Sequence, residues 1–143
     1  AWVVGAFFPG QFPLTEVYNL PLLGVPSGKV GGSALWDVYA QNQEMQKEWS
    51  QVKTLSVYSS GVQFVATAKK PVRQLEDLKG LKLRVAGWGP TNFLKSVGGN
   101  PISITPPEMY DAIQKGVLDG MIFDWQGKQS LQLNLKDLRP ASG

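Results

Sequence analysis

The run PVRQLEDLKGLKLRVAGWG (71–89), followed by VGGNPISITPPEMYDAIQKGVLDGMIFDW (97–125), decides the fold. In the first half, Leu81, Leu83 and Val85 alternate with Lys82 and Arg84, the period of a strand with one apolar face. Lys70-Pro71 breaks the preceding run, and Gln74–Leu78 reads as a short helical turn closed by Gly80. Gly87-Trp88-Gly89-Pro90 leads into a helix over 91–97, stopped by Gly98-Gly99. Ile102-Ser103-Ile104 reads as a second strand. Thr105-Pro106-Pro107-Glu108 then signals a helix start, with Thr at the N-cap, Pro at N1 and Glu at N3 to close a capping box. That helix sets Met109, Ile113 and Val117 on one stripe, and Met121–Trp125 is a third strand. Strand, helix, strand, helix, strand in this order predicts α/β with a largely parallel sheet.

Upstream, residues 54–67 are rich in β-branched and aromatic side chains and read as a strand bent at Gly61. A helix is expected from Ser33, as N-cap, to Val52. Residues 9–32 carry prolines at 9, 13, 21 and 26 and apolar anchors Phe12, Leu14, Leu20 and Leu22, the pattern of an ordered loop. Ala1–Phe7 reads as a buried strand with no start signal ahead of it, as in a chain that begins mid-protein.

The 143 residues are 43% hydrophobic and 17% charged, which excludes disorder. The chain has no histidine and no cysteine. It therefore cannot build a Ser-His-Asp triad, an imidazole metal site, a thiol nucleophile or a disulfide from its own residues. No cofactor or metal site is read. The net charge of +3 is dispersed, and its densest cluster, Lys69-Lys70 with Arg73, is too small for a nucleic-acid tract.

Arg84 is the leading candidate for function. It ends a strand just before a glycine-rich loop, where open α/β sheets gather ligands, and its planar fork matches a carboxylate. Pairing with a surface acid is the alternative. The loop 87–92 opens a helix whose N–H groups favour anions, but it lacks the GK[ST] of a P-loop and the third glycine of a dinucleotide fingerprint; a plain tight turn explains it equally. Phe64, Trp88, Phe123 and Trp125 are either pocket wall or core, with Trp88, flanked by glycines, expected to be exposed. Asp119 and Asp124 have the residue type of a catalytic carboxylate pair, but nothing positions a substrate between them, and Asp119-Gly120 has turn chemistry.

Both halves of the run resemble solute-binding proteins of tripartite ATP-independent periplasmic (TRAP) transporters, the DctP-like family. The motifs are DLKGLKxR at the strand entry, GxxP before the next strand, and a helix with Glu108, Tyr110, Ala112, Gln114, Gly116, Asp119 and Gly120. FPLTEVYNLPLLG (12–24) is similar to the segment that family places before its first-domain helix, and the resemblance extends over residues 1–138.

The resemblance implies a periplasmic-binding-protein-like, type II-like bilobal α/β fold, present here only in part. Residues 1–55 would complete a first lobe, 56–68 a hinge strand, 69–125 a second lobe and 126–138 a return segment, with 139–143 a non-native tail. It further implies a periplasmic binding protein, not an enzyme, that captures an organic acid and delivers it to the transporter's membrane subunits. Arg84 matches the family's carboxylate-pairing arginine. Some relatives carry a second arginine where this chain has Gln63, which points to a ligand with one carboxylate. Phe123 or Asp124 falls at a ligand-side position, and with Trp88 and Trp125 implies a pocket for an aromatic or bulky monocarboxylate. Self-association is expected of a shortened chain that leaves apolar surface uncovered. Two other readings are an effector-sensing domain of a regulator and a small α/β enzyme using carboxylates.

Overall fold

The chain divides into two units, residues 1–62 with 87–89 and residues 63–86 with 90–143. The computed structural model describes residues 3–8, 10–20, 23–59, 61–124 and 139–140.

In the first unit Gly5–Phe7 forms a turn of 3₁₀ helix, where the apolar run predicts a strand. A strand needs a ladder partner, and among the described residues this unit has no strand to offer. Helix α1 (Pro13–Glu16) has its first N–H groups satisfied from a distance. The Leu14 and Thr15 N–H groups donate to the Glu48 carboxylate at 2.6 and 3.1 Å. Trp49 Nε1 donates to the Thr15 hydroxyl at 3.0 Å, and its ring stacks on Phe12 at 4.0 Å.

Where a single helix over 33–52 is expected, there are two. Helix α2 (Gly28–Gln41) starts earlier because Ser27 is the cap, its Oγ accepting from Val30 N–H at 3.3 Å. It stops at Asn42, whose Oδ1 accepts from Met45 N–H at 3.0 Å and so caps α3 (Gln43–Glu48). A Cβ at Gly31, inside α2, would run into the Tyr18 hydroxyl and a Val25 methyl, so a larger residue there needs those side chains to move.

The second unit is built on one five-stranded sheet. Its elements are β1 (Gln63–Thr67), β2 (Lys82–Arg84), α4 (Trp88–Ser96, from Pro90 onward in this unit), β3 (Asn100–Ile102), α5 (Pro106–Gln114), β4 (Gly120–Asp124) and β5 (Arg139–Pro140), with the strands in the order β3-β2-β4-β1-β5. The expected strand over 54–67 is extended ladder only from Gln63 onward. The β3-β2-β4 part is parallel, whereas β1 runs antiparallel to both β4 and β5. The sheet is thus mixed rather than largely parallel. Only the strands linked through α4 and α5 have the crossover helices that parallel pairing demands. Of the stripe expected on α5, Met109 is fully buried, but the helix ends at Gln114 and Val117 is 53% exposed.

Alternation along β2 sorts the core into two layers. Leu83 and Val85 pack with Val72, Leu78, Leu94 and Ile122 on one face. Ala66, Met109, Met121 and Phe123 form the other. Each fully buried Leu or Met contributes about 1.5–3 kcal/mol. Asp119 ties the strand ends together: its carboxylate accepts from Lys82 N–H at 2.8 Å, its own N–H donates to Lys82 O at 2.8 Å, and its carbonyl accepts from Ala68 N–H at 2.9 Å.

Candidate functional site

Arg84 closes β2, and the register sets it opposite Met121 of β4. Its side chain therefore enters the second core layer instead of solvent, and the residue is only 2% exposed. The guanidinium lies over the Phe123 ring at 5.1 Å, a cation–π distance. Its Nε donates to the carbonyl of Ile104 at 3.3 Å. Burial lowers the guanidinium's pKa, while the charge of Asp124 works in the opposite direction. Arginine starts so far above neutrality that it remains cationic at pH 7. A cation in a poorly hydrated setting makes stronger charge-assisted contacts than it would in water.

The neighbours of Arg84 follow from the pairing. β1 and β4 set Phe64 opposite Phe123 and Gln63 opposite Asp124. Because β1 is antiparallel, its first residue Gln63 lies beside Asp124 at the carboxyl end of β4, with β4 between β1 and β2. Arg84 and Phe123 share one face of the sheet, whereas alternation sets Asp124 and Gln63 on the other face, with Ile122 and Val65. Gln63 is exposed, Asp124 half-buried and Phe123 buried at 8% exposure.

Trp88 is 62% exposed, as expected, but it is the first residue of α4 rather than part of a loop, and it belongs to the first unit. Trp125 lies outside the described residues, as does the 126–138 segment. Arg139–Pro140, in the stretch expected to be a tail, pairs with Thr67 and Ala66 as β5.

One partner of Arg84 that residue types did not announce is the Ile104 carbonyl. A backbone acceptor has no residue type to announce it. The available signal was the helix-start motif that follows, since a capped N-terminus fixes the peptide ahead of it. Thr105 N–H donates to Glu108 Oε2 at 3.0 Å and the Thr105 hydroxyl to the same oxygen at 2.6 Å.

Among the described residues no three His, Cys, Asp or Glu side chains are grouped as a metal site would need, and no helix is long and apolar enough to cross a membrane. A shallow groove of about 530 Å³ at the α2–α3 corner is lined by Val38, Gln41, Asn42, Gln43 and Glu44, with no cation among them to hold an acid.

Solved structures resemble this chain over nearly its whole length. A TRAP periplasmic solute-binding protein from Bordetella bronchiseptica, with bound (R)- and (S)-mandelate, is 34% identical over 96% of this chain and 43% of its own, with a TM-score of 0.84. A marine metagenome TRAP solute-binding protein specific for aromatic acids, in complex with 3-hydroxybenzoate, is 28% identical over 92% of this chain and 40% of its own, also at 0.84. One from Rhodoferax ferrireducens with copurified benzoate is 26% identical, with the same 92% and 40% coverage and a TM-score of 0.84. The uncharacterized protein YiiZ of Salmonella typhimurium is 38% identical over 64 residues, 44% of this chain and 20% of YiiZ. The chain thus spans less than half the length of these relatives. Its mixed α/β fold is that of the TRAP solute-binding proteins, which are periplasmic-binding-protein-like. The profile of DctP, "Bacterial extracellular solute-binding protein, family 7", matches residues 1–134, and the chain belongs to that family.

Proposed function

We propose that this protein captures an organic acid by its carboxylate, in the periplasm, and delivers it to the membrane subunits of a TRAP transporter. The observation that carries the reading is Arg84: a buried guanidinium at the carboxyl end of β2, braced by Phe123 and the Ile104 carbonyl. Such a group is already desolvated and oriented, so a carboxylate that reaches it gains a charge-assisted contact at little ordering cost. Gln63, Phe123, Asp124, Trp88 and Trp125 complete the proposed ligand-binding set. The role proposed is capture rather than chemistry, in keeping with a family described as extracellular solute-binding proteins.

The ligand class proposed is an aromatic or bulky monocarboxylate. Phe123 lies under the guanidinium with Phe64 opposite it across the β1–β4 ladder, and Gln63 adds no second positive charge. The mandelate, 3-hydroxybenzoate and benzoate held by the relatives support this choice. A thermal-shift screen of organic acids on the intact protein tests it. Saturation at ~100 times the Kd should add ~2.7 kcal/mol of stability, with aromatic monocarboxylates giving the largest shifts. A screen won only by small dicarboxylates would overturn the ligand class. Arg84→Ala should abolish the shift, because truncating one side of such a pair costs ~2–5 kcal/mol; an unchanged shift would remove Arg84 from the site.

A further inference from the structure

We infer that Glu108 is a positioning residue for Arg84, acting through the single peptide plane between Ile104 and Thr105; the inference rests on the reading of Arg84 as the carboxylate-binding group. A peptide unit is rigid and planar, with its C=O and N–H pointing in opposite directions. The carbonyl of the 104–105 unit accepts from Arg84 Nε at 3.3 Å. The N–H of the same unit donates to Glu108 Oε2 at 3.0 Å. Fixing one edge of the plane therefore fixes the other. The anchor is itself braced, since the Thr105 hydroxyl donates to the same Glu108 oxygen at 2.6 Å and Glu108 N–H donates to Thr105 O at 3.1 Å.

Two of the contacts that hold Arg84 are the Phe123 ring, over which its guanidinium carbon sits at 5.1 Å, and the Ile104 carbonyl, which takes the Nε edge. The ring sets where the cation lies; the carbonyl sets the direction of the Nε–H bond. Glu108 itself is exposed on α5 and belongs to no core layer, so its removal does not open a cavity. What its removal frees is the peptide, and with it the direction of the Nε–H bond.

The test uses the intact protein with benzoate as the probe, and compares Glu108→Ala, Glu108→Gln and Arg84→Ala. Affinity is read by calorimetry, and the Arg84 Nε–H resonance and its solvent exchange by ¹⁵N NMR. Glu108→Ala should weaken benzoate about fivefold, the ratio matching a typical cap's contribution, and should speed exchange at Arg84 Nε–H. Glu108→Gln keeps an acceptor oxygen at the same reach and should restore both. A cap that served only helix stability would lower the Tm and leave both readouts unmoved. If Arg84→Ala abolishes binding while Glu108→Ala alters neither benzoate affinity nor the Nε–H signal, the relay is wrong and the Arg84 reading stands. If Glu108→Ala weakens benzoate with the Nε–H signal unchanged, the relay is likewise wrong. If Arg84→Ala binds benzoate normally, both fall together.

Discussion

Arg84 sits opposite Met121 in the β2–β4 ladder, and that register sends its side chain into the core layer of Met109 and Phe123. What the residue types could not convey was depth. Alternation assigns Arg84 to the face opposite Leu83 and Val85, and that face turns out to be a second core layer covered by residues such as Met109. Phe123 shows the same limit: the resemblance sets it at a ligand-side position, and the structure buries it beneath the guanidinium. A contact between side chains on two strands depends on register, which one strand's pattern does not carry. Phe123→Leu keeps an apolar side chain but removes the ring face under the cation. It should cost about 1 kcal/mol of stability and weaken benzoate about threefold to tenfold, read by thermal melts and calorimetry on the same samples. An affinity equal to wild type would mean that the ring only fills space.

At the scale of elements, the capping signals were the most dependable guides. Thr105 to Glu108 opened α5 where expected, and the turn at Leu75–Leu78 was framed by Gln74 and Asp77. Where two residues competed to cap, the pattern misled: Ser27, not Ser33, begins α2, and Asn42 divides what hydrophobic spacing joins. Periodicity integrates over turns and is blind to one side chain that terminates them.

Both carboxylate caps have pKa values held below the ordinary range. Asp77 is lowered chiefly by the Arg73 and Gln74 N–H groups, and Glu108 by the Thr105 hydroxyl and N–H. A carboxyl with a depressed folded-state pKa contributes stability above its unfolded value and loses it as pH falls through the folded one. The Tm should therefore hold steady from neutral pH to about 5 and decline below about 4, with a shallower decline in the Asp77→Asn, Glu108→Gln double variant. Identical acid slopes would show that neither cap matters to folding.

For the whole molecule, the α/β class followed from element order, but the mixture of strand directions did not. Direction depends on how a strand is reached, and β1 is not reached through a crossover helix. Gly120 marks the joint where both pairings meet, opposite Leu83 on one side and Thr67 on the other. A Cβ there would come within 2.1 Å of the Ala66 carbonyl, so the backbones must stay closer than any side chain allows. Gly120→Ala should cost about 1–3 kcal/mol, measured by urea unfolding, as strands forced apart repack. A midpoint unchanged from wild type would mean that the joint is slack.

That pairing also sets a timetable for synthesis. The ribosome releases QFVAT (63–67) well before it has made GMIFD (120–124), the antiparallel neighbour with which that strand forms its full ladder. Until then the nascent chain carries an adhesive, unmated ribbon, and nearby polysomes offer other copies of it. Trigger-type holdases should engage translation intermediates stalled before Gly120 and let go of those stalled beyond Asp124.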